Sequence, residues 1–231
     1  DDFLACLEGE ADWRQVPGLV YRKDGEIFSV PLKDTFAISE LPAGYEEEAL
    51  DHRIVYYESM RGCPYHCSYC LSSEDDHVRY RSVDEIKEHM RQIFHTGTQL
   101  VKFVDRSFHI RPERTKEILR FFIDEAPKDM CIHFEMNLEH MTADVAEVIN
   151  EAPAGLFQIE AGIQSVNSEV NRRIHRSTNL EKMKKAMDLI DRDKVHIHVD
   201  LIVGLPGENM ESFLNGFDRV VPLHAKKIQI G

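Results

Sequence analysis

From residue 53 onward the chain alternates between short apolar runs and longer stretches in which apolar side chains return every three or four positions. The runs are RIVYYE (53–58), LVKFVD (100–105), CIHFE (131–135), LFQIE (156–160), VHIHVDLIV (195–203) and KKIQI (226–230). Each is β-branched or aromatic and nearly continuous in apolar character, which predicts strands covered on both faces. The stretches between them predict helices. Val83, Ile86, Met90, Ile93 and Phe94 keep helical spacing behind a Ser82-x-x-Glu85 capping box, as do Leu180, Met183, Met187 and Ile190, and Met210, Phe213, Leu214 and Phe217. Pro112 suits the first position of a helix over 112–125, and Thr142 suits the cap of one over 143–150. The methionine and phenylalanine stripes read as core rather than as a cofactor box. Six strands alternating with helices predict an α/β fold of parallel βα units with right-handed crossovers, closed into a barrel or opened into a doubly wound sheet.

Residues 1–50 differ in texture: a short helical start ends at Gly9, and Pro17, Gly18, Gly25, Pro31, Pro42 and Gly44 follow closely. This predicts connector or domain-edge material before a second domain over 51–231. Within it, Asp24-Gly25 between two β-prone runs predicts a two-residue hairpin turn.

The 42% hydrophobic content is enough for a real core. A net charge of −13, from 28 basic and 41 acidic residues, opposes nucleic-acid and anionic-membrane partners, which need excess Lys and Arg on the contacting face. No run approaches a membrane-spanning length and no signal-peptide segment opens the chain, so a cytoplasmic location is expected. Opening on Asp1 and closing on a strand-like Ile228 to Gly231, the chain is expected to be a piece of a longer protein.

There are five cysteines, and three of them crowd into RGCPYHCSYC (61–70). In a reducing compartment this favours metal or redox chemistry over disulfides. Cys6 and Cys131 lie far off among apolar neighbours and read as buried thiols. Cys63, Cys67 and Cys70 follow the first strand of the alternating series, where parallel α/β folds place their sites. C-x3-C-x2-C makes three thiolates converge, as ligands of an iron–sulfur cluster or of zinc. The zinc reading needs His66, His77 or a distant His as fourth ligand and lacks the paired ligands usual in structural zinc sites. A four-cysteine electron-carrier cluster would need Cys6 or Cys131. Both leave a non-enzymatic binding module as an alternative.

The triad, with Tyr69 before its third cysteine, resembles the signature of the radical S-adenosylmethionine (radical SAM) superfamily, and the resemblance runs from about residue 53 to the end. It implies a partial (β/α)6 barrel ending in its sixth strand, with Cys63, Cys67 and Cys70 holding a 4Fe–4S cluster whose open iron takes SAM. Reductive cleavage of SAM would give methionine and a 5′-deoxyadenosyl radical, with flavodoxin or ferredoxin as electron donor and a small molecule as substrate.

LFQIEAGIQSVNSEVNRRIHR (156–176) looks like the fourth-strand segment of the branch holding cobalamin-binding members, methylthiotransferases and coproporphyrinogen-oxidase-type enzymes. There Gln164 and Ser165 match strand-end residues beside SAM, and Arg176 matches an arginine that pairs with the SAM carboxylate, a role its planar fork suits. Glu135 matches a carboxylate that accepts from the SAM ammonium, with Glu160 a competing candidate. VDLIVGLPGE (199–208) resembles the adenine-supporting motif, with Ile202, Gly204 and Leu205 in those roles, although its acid, Glu208, comes one position late. FVDRSF (103–108) stands where many members carry Gly-Gly-Glu, so Asp105 is the candidate holder of the SAM amine, against a plain ion pair with Arg106 or a cap on the following turn. Residues 1–50 resemble the trailing edge of a cobalamin-binding domain. The resemblance therefore implies cobalamin-assisted methylation of an unactivated carbon, or a porphyrin-cyclase-like oxidation on the same cluster.

Overall fold

The computed structural model describes residues 2–10, 12–32, 37–41, 54–75 and 77–231. Pro42, Gly44, Arg53 and the 50/51 boundary lie outside the described residues. The chain divides into two units, Asp1–Glu40 and Leu41–Gly231.

In the first unit a short helix, α1 (Asp2–Leu7), precedes an antiparallel hairpin of β1 (Val20–Lys23) and β2 (Glu26–Ser29). Asp24 and Gly25 between them take φ of 52° and 86°, the paired positive φ whose twist matches a two-residue hairpin. Tyr21 stacks on Phe28 across the strands at 5.4 Å.

The second unit is built on β3 (Ile54–Tyr57), β6 (Leu100–Phe103), β7 (Cys131–Glu135), β8 (Phe157–Gln164), β9 (His196–Leu201) and β10 (Lys227–Ile230). All pair in parallel, and the sheet order β10-β9-β8-β7-β6-β3 follows the chain. Helices α2 (Val83–Phe94), α3 (Pro112–Glu125), α4 (Ala143–Glu151), α6 (Leu180–Asp188) and α7 (Met210–Val220) fill the crossovers, as the spacing requires. Two elements escape sequence reading: α5 (Ser168–Arg173), and a pair, β4 (Met60–Arg61) with β5 (Arg79–Tyr80), too short to show any period.

The sheet departs from expectation on one face. Phe157, Ile159, Ala161 and Ile163 of β8 join Ile132, Phe134, Ile197 and Val199 and the apolar faces of the helices in one core. The alternate positions are polar: His133 and Glu135, Gln158, Glu160 and Gln164, His196, His198 and Asp200. Helices thus cover a single face, and the other carries charge. The expectation of apolar character on both faces is corrected accordingly, although His133 and His198 on the polar face are themselves buried.

Local capping explains most helix starts. Ser82 accepts from the Glu85 amide, but Glu85 turns to Arg81 rather than closing the box. Pro112 occupies the first turn of α3. Thr142 precedes α4 without capping it through its hydroxyl. No helix among the described residues is long and apolar enough to cross a membrane.

His109, 5% exposed between β6 and α3, is held neutral because burial lowers its imidazole to about 4. The unfolded chain binds the proton first as pH falls, so this contribution is whole above about 6.5 and shrinks toward pH 4. We expect urea unfolding to lose up to ~3 kcal/mol across that window. His109→Gln should flatten the slope.

Candidate functional site

The cysteine loop leaves the sheet through β4 and returns through β5. Gly62 starts it at φ 91°, and a Cβ there would stand 2.7 Å from the His77 carbonyl and 3.0 Å from that of Asp75, so only glycine fits. The loop is pinned by its own backbone. Cys63 N donates to Asp75 O at 3.0 Å, Cys70 N to Cys67 O at 3.0 Å, and Ser68 N to Ile174 O at 3.0 Å, which ties the loop to the end of α5. Ser73 Oγ donates to Cys70 O at 2.6 Å. Among the described residues the three Sγ atoms do not gather within 4.8 Å of one another, nor does a fourth ligand type join any two of them within that distance. One zinc ion needs such a gathering; a cube that gives each thiolate its own iron spreads them wider. Cys131 begins β7, at the opposite end of the sheet from the loop, and Cys6 belongs to the first unit.

The three cysteines, Tyr69, Glu135, Gln164 and Arg176 meet on one cleft of about 210 Å³. Arg176 donates to the Gly162 carbonyl and to Cys67 Sγ at 3.6 Å. Its Nε is buried with no partner, as is Gln164 Oε1. An orphan donor and an orphan acceptor on one cleft wall fit a ligand offering both complements. The wall is shaped by a register shift in β8 between Gly162 and Gln164, with Gln164 at φ 66°. A Cβ on Gly162 would stand 2.3 Å from Gln164 Nε2, so this glycine makes room for the side chain beside it. Burial pushes the Tyr69 phenol up to about 12, keeping it neutral.

Arg106, Glu160 and Asp200 also line the cleft. Of these only Glu160 carried a sequence signal. Arg106 reaches Glu135 at 3.3 Å, so the ion pair with Arg106, the alternative reading of Asp105, is not formed. Burial raises the Glu135 carboxyl against that guanidinium. The imidazoles of His133 and His198, whose Nε2 atoms stand 3.1 and 3.0 Å from Glu160 Oε2, hold the Glu160 carboxyl far below the usual carboxylate range. Burial and the neighbouring Glu160 push Asp200 up to about 7. A period-two reading of β9 would have put His198 and Asp200 on Glu160's face.

Five expected residues lie off the cleft. Asp105 is 1% exposed and accepts from Ser59 N at 2.8 Å, Met60 N at 3.0 Å and the Ser59 hydroxyl, so its carboxylate is spent on the turn before the cysteine loop. Ser165 donates to Glu208 Oε1 at 2.7 Å, clamping the end of β8 to the turn after β9 and giving the late glutamate a structural task. Leu205 packs with Val170 and Ile174 beneath α5, with Ile202 against them. Gly204 turns the chain at φ 82°. A wider groove of about 860 Å³ between α2 and α3 is lined by charges that already pair, Lys87 with Glu117 and Arg91 with Glu125.

Residues 57–220 match the Radical SAM superfamily. The 2-(S-pantetheinyl)-carbapenam-3-carboxylate methyltransferase of Streptantibioticus cattleyicolor is 25% identical over 232 residues, covering 91% of this chain and 34% of that protein. The cobalamin-dependent radical SAM methyltransferase TokK of Streptomyces tokunonensis is 24% identical over 230 residues, with the same coverages of 91% and 34%. The chain thus spans about a third of the length of these relatives. The methyltransferase TsrM of Kitasatospora setae, solved with cobalamin and a [4Fe-4S] cluster, superposes with a TM-score of 0.73 at 16% identity, over 99% of this chain and 48% of that one. That likeness shows the fold, a parallel six-stranded partial barrel. On the match over 57–220, which takes in the cysteine loop and the cleft wall, the chain belongs to the radical SAM superfamily.

Proposed function

We propose that this chain is the core of a cobalamin-assisted radical SAM methyltransferase that alkylates an unactivated carbon of a small molecule. The observation that carries the reading is the cleft on which three separated thiolates face an unpartnered guanidinium nitrogen and an unpartnered amide oxygen. Cys63, Cys67 and Cys70 would hold the 4Fe–4S cluster. Arg176 would take the SAM carboxylate, Glu135 its ammonium, and Tyr69 and Gln164 would bound the nucleotide. When bound, the cluster supplies the electron for reductive cleavage of SAM. The protein's own share is to orient SAM, hold the thiolates apart and exclude water.

Methylation is favoured by the two methyltransferase relatives, one of them cobalamin-dependent. Residues 1–50 are read as the trailing edge of a cobalamin-binding domain, with residues 51–231 as the radical SAM core. A flavodoxin or ferredoxin in a reducing cytoplasm would supply electrons.

The test is the intact natural protein, anaerobically reconstituted, given SAM, reductant and cobalamin. S-adenosylhomocysteine alongside 5′-deoxyadenosine supports methyl transfer; 5′-deoxyadenosine alone points to the oxidative reading; neither product refutes both. Arg176→Lys, which keeps charge but loses the planar fork, should raise the Kd for SAM by about tenfold without lowering iron content.

A further inference from the structure

The polar face of the sheet carries a second constellation beneath the cleft. His133 on β7, Glu160 on β8 and His198 on β9 lie on three adjacent strands, with Glu160 directly opposite His198. His133 Nε2 stands 3.1 Å, and His198 Nε2 3.0 Å, from the same oxygen, Glu160 Oε2. All three ligand atoms fall within 4.8 Å of one another. They are the one group of three or more His, Cys, Asp or Glu side chains among the described residues that does so.

Burial makes this arrangement costly as it stands. His133 is 4% exposed and His198 5%, yet neither ring nitrogen of His133 is aligned with a hydrogen-bond acceptor, Glu160 included. The buried Oδ1 of Asp200, next along β9 on the same face, has no partner either. A buried imidazole Nε2 with no aligned partner, set beside a carboxylate oxygen and a second imidazole, is the arrangement of a ligand set able to address one ion. His198 is already oriented from behind, its Nδ1 lying 3.3 Å from Gln158 Nε2, the kind of outer contact that fixes a ligating imidazole. Because the three ligands sit on paired strands rather than on loops, their spacing is fixed by the sheet.

We infer that His133 Nε2, His198 Nε2 and Glu160 Oε2 bind a divalent transition-metal ion of the zinc class, at a site separate from the three cysteines. Two imidazoles and one carboxylate suit zinc and disfavour magnesium and calcium, which require oxygen donors. Three protein ligands leave a fourth position for water or a substrate oxygen. The ion would also offset the carboxyls of Glu135, Glu160 and Asp200, which crowd onto one floor of an otherwise acidic protein. This site rests on strand geometry and stands whether or not the methyltransferase reading holds.

The test uses the intact protein with Cys63, Cys67 and Cys70 replaced by alanine, so that the clustered thiolates do not compete. Titration with Zn²⁺ against a chromophoric chelator should show one ion per chain. Replacing His133 and His198 together by alanine should weaken binding by more than ~100-fold, beyond the cost of losing an outer contact. Glu160→Gln, close to isosteric, should also weaken it and guards against misfolding of the double variant. Co²⁺ in place of Zn²⁺ should give tetrahedral visible bands without thiolate charge transfer. No stoichiometric uptake by the cysteine-free protein, or uptake that survives loss of both histidines, overturns the proposal. Because the cluster ligands are absent throughout, neither result depends on SAM chemistry.

Discussion

Alanine at Cys63 should cut SAM cleavage by at least ~10³-fold, since the protein has no residue of its own to perform one-electron chemistry and the cofactor carries it. The loss should appear together with a fall in iron and sulfide per chain and bleaching of the visible charge-transfer absorbance. Far-UV circular dichroism should be unchanged. Cys63 and Cys67 are buried, but neither belongs to the core shared by sheet and helices, so removing a thiol leaves that packing intact. Cys67→Ala and Cys70→Ala should behave alike, whereas Cys6→Ala and Cys131→Ala should retain full iron. Zinc bound by the three cysteines in place of iron and sulfide, or a cluster that persists after any one of the three changes, would dismiss the coordination proposed here.

Asp105→Ala should cost ~3–5 kcal/mol of stability, read as a shift in the denaturant midpoint. The substitution strands the buried amides of Ser59 and Met60 without their acceptor, and it leaves Arg114, which donates to Ser59 O and Oγ at 3.0 Å, without its countercharge. Burial lifts the Asp105 carboxyl to about 7 despite those donors, so Asp105→Asn, which copies the neutral form, should lose less than half as much. The same pair of variants separates two roles. A residue that held the SAM amine would raise the Kd for SAM in Asp105→Asn while leaving unfolding nearly unchanged. The reverse pattern is expected here.

Much of the scaffold was legible because apolar period and punctuation agree. The strand over 131–135 and the helix over 112–125 are observed as Cys131–Glu135 and Pro112–Glu125. The fourth strand was read as ending at 160 but runs to Gln164, because Ala161 and Gly162 have little strand propensity and are held there by the neighbouring strands. The run VHIHVDLIV reads as apolar on both faces only if histidine counts with valine; its alternation places His196, His198 and Asp200 on the polar side. At the cleft, residues anchored by the cysteine spacing or by the long match over 156–176 could be anticipated, hence Tyr69, Gln164 and Arg176. Arg106 and Asp105 could not be told apart from sequence. They are adjacent, their side chains leave the backbone in opposite directions, and only the packing around Ser59 decides which one goes inside.

Strand order in the sheet repeats chain order from β3 to β10. No strand has to be inserted between two that are already paired, so each βα unit can dock on the one before it as it leaves the ribosome, and the sheet can grow in the direction of synthesis. A stalled or shortened nascent chain would then present a narrower sheet of correct register rather than a scrambled one.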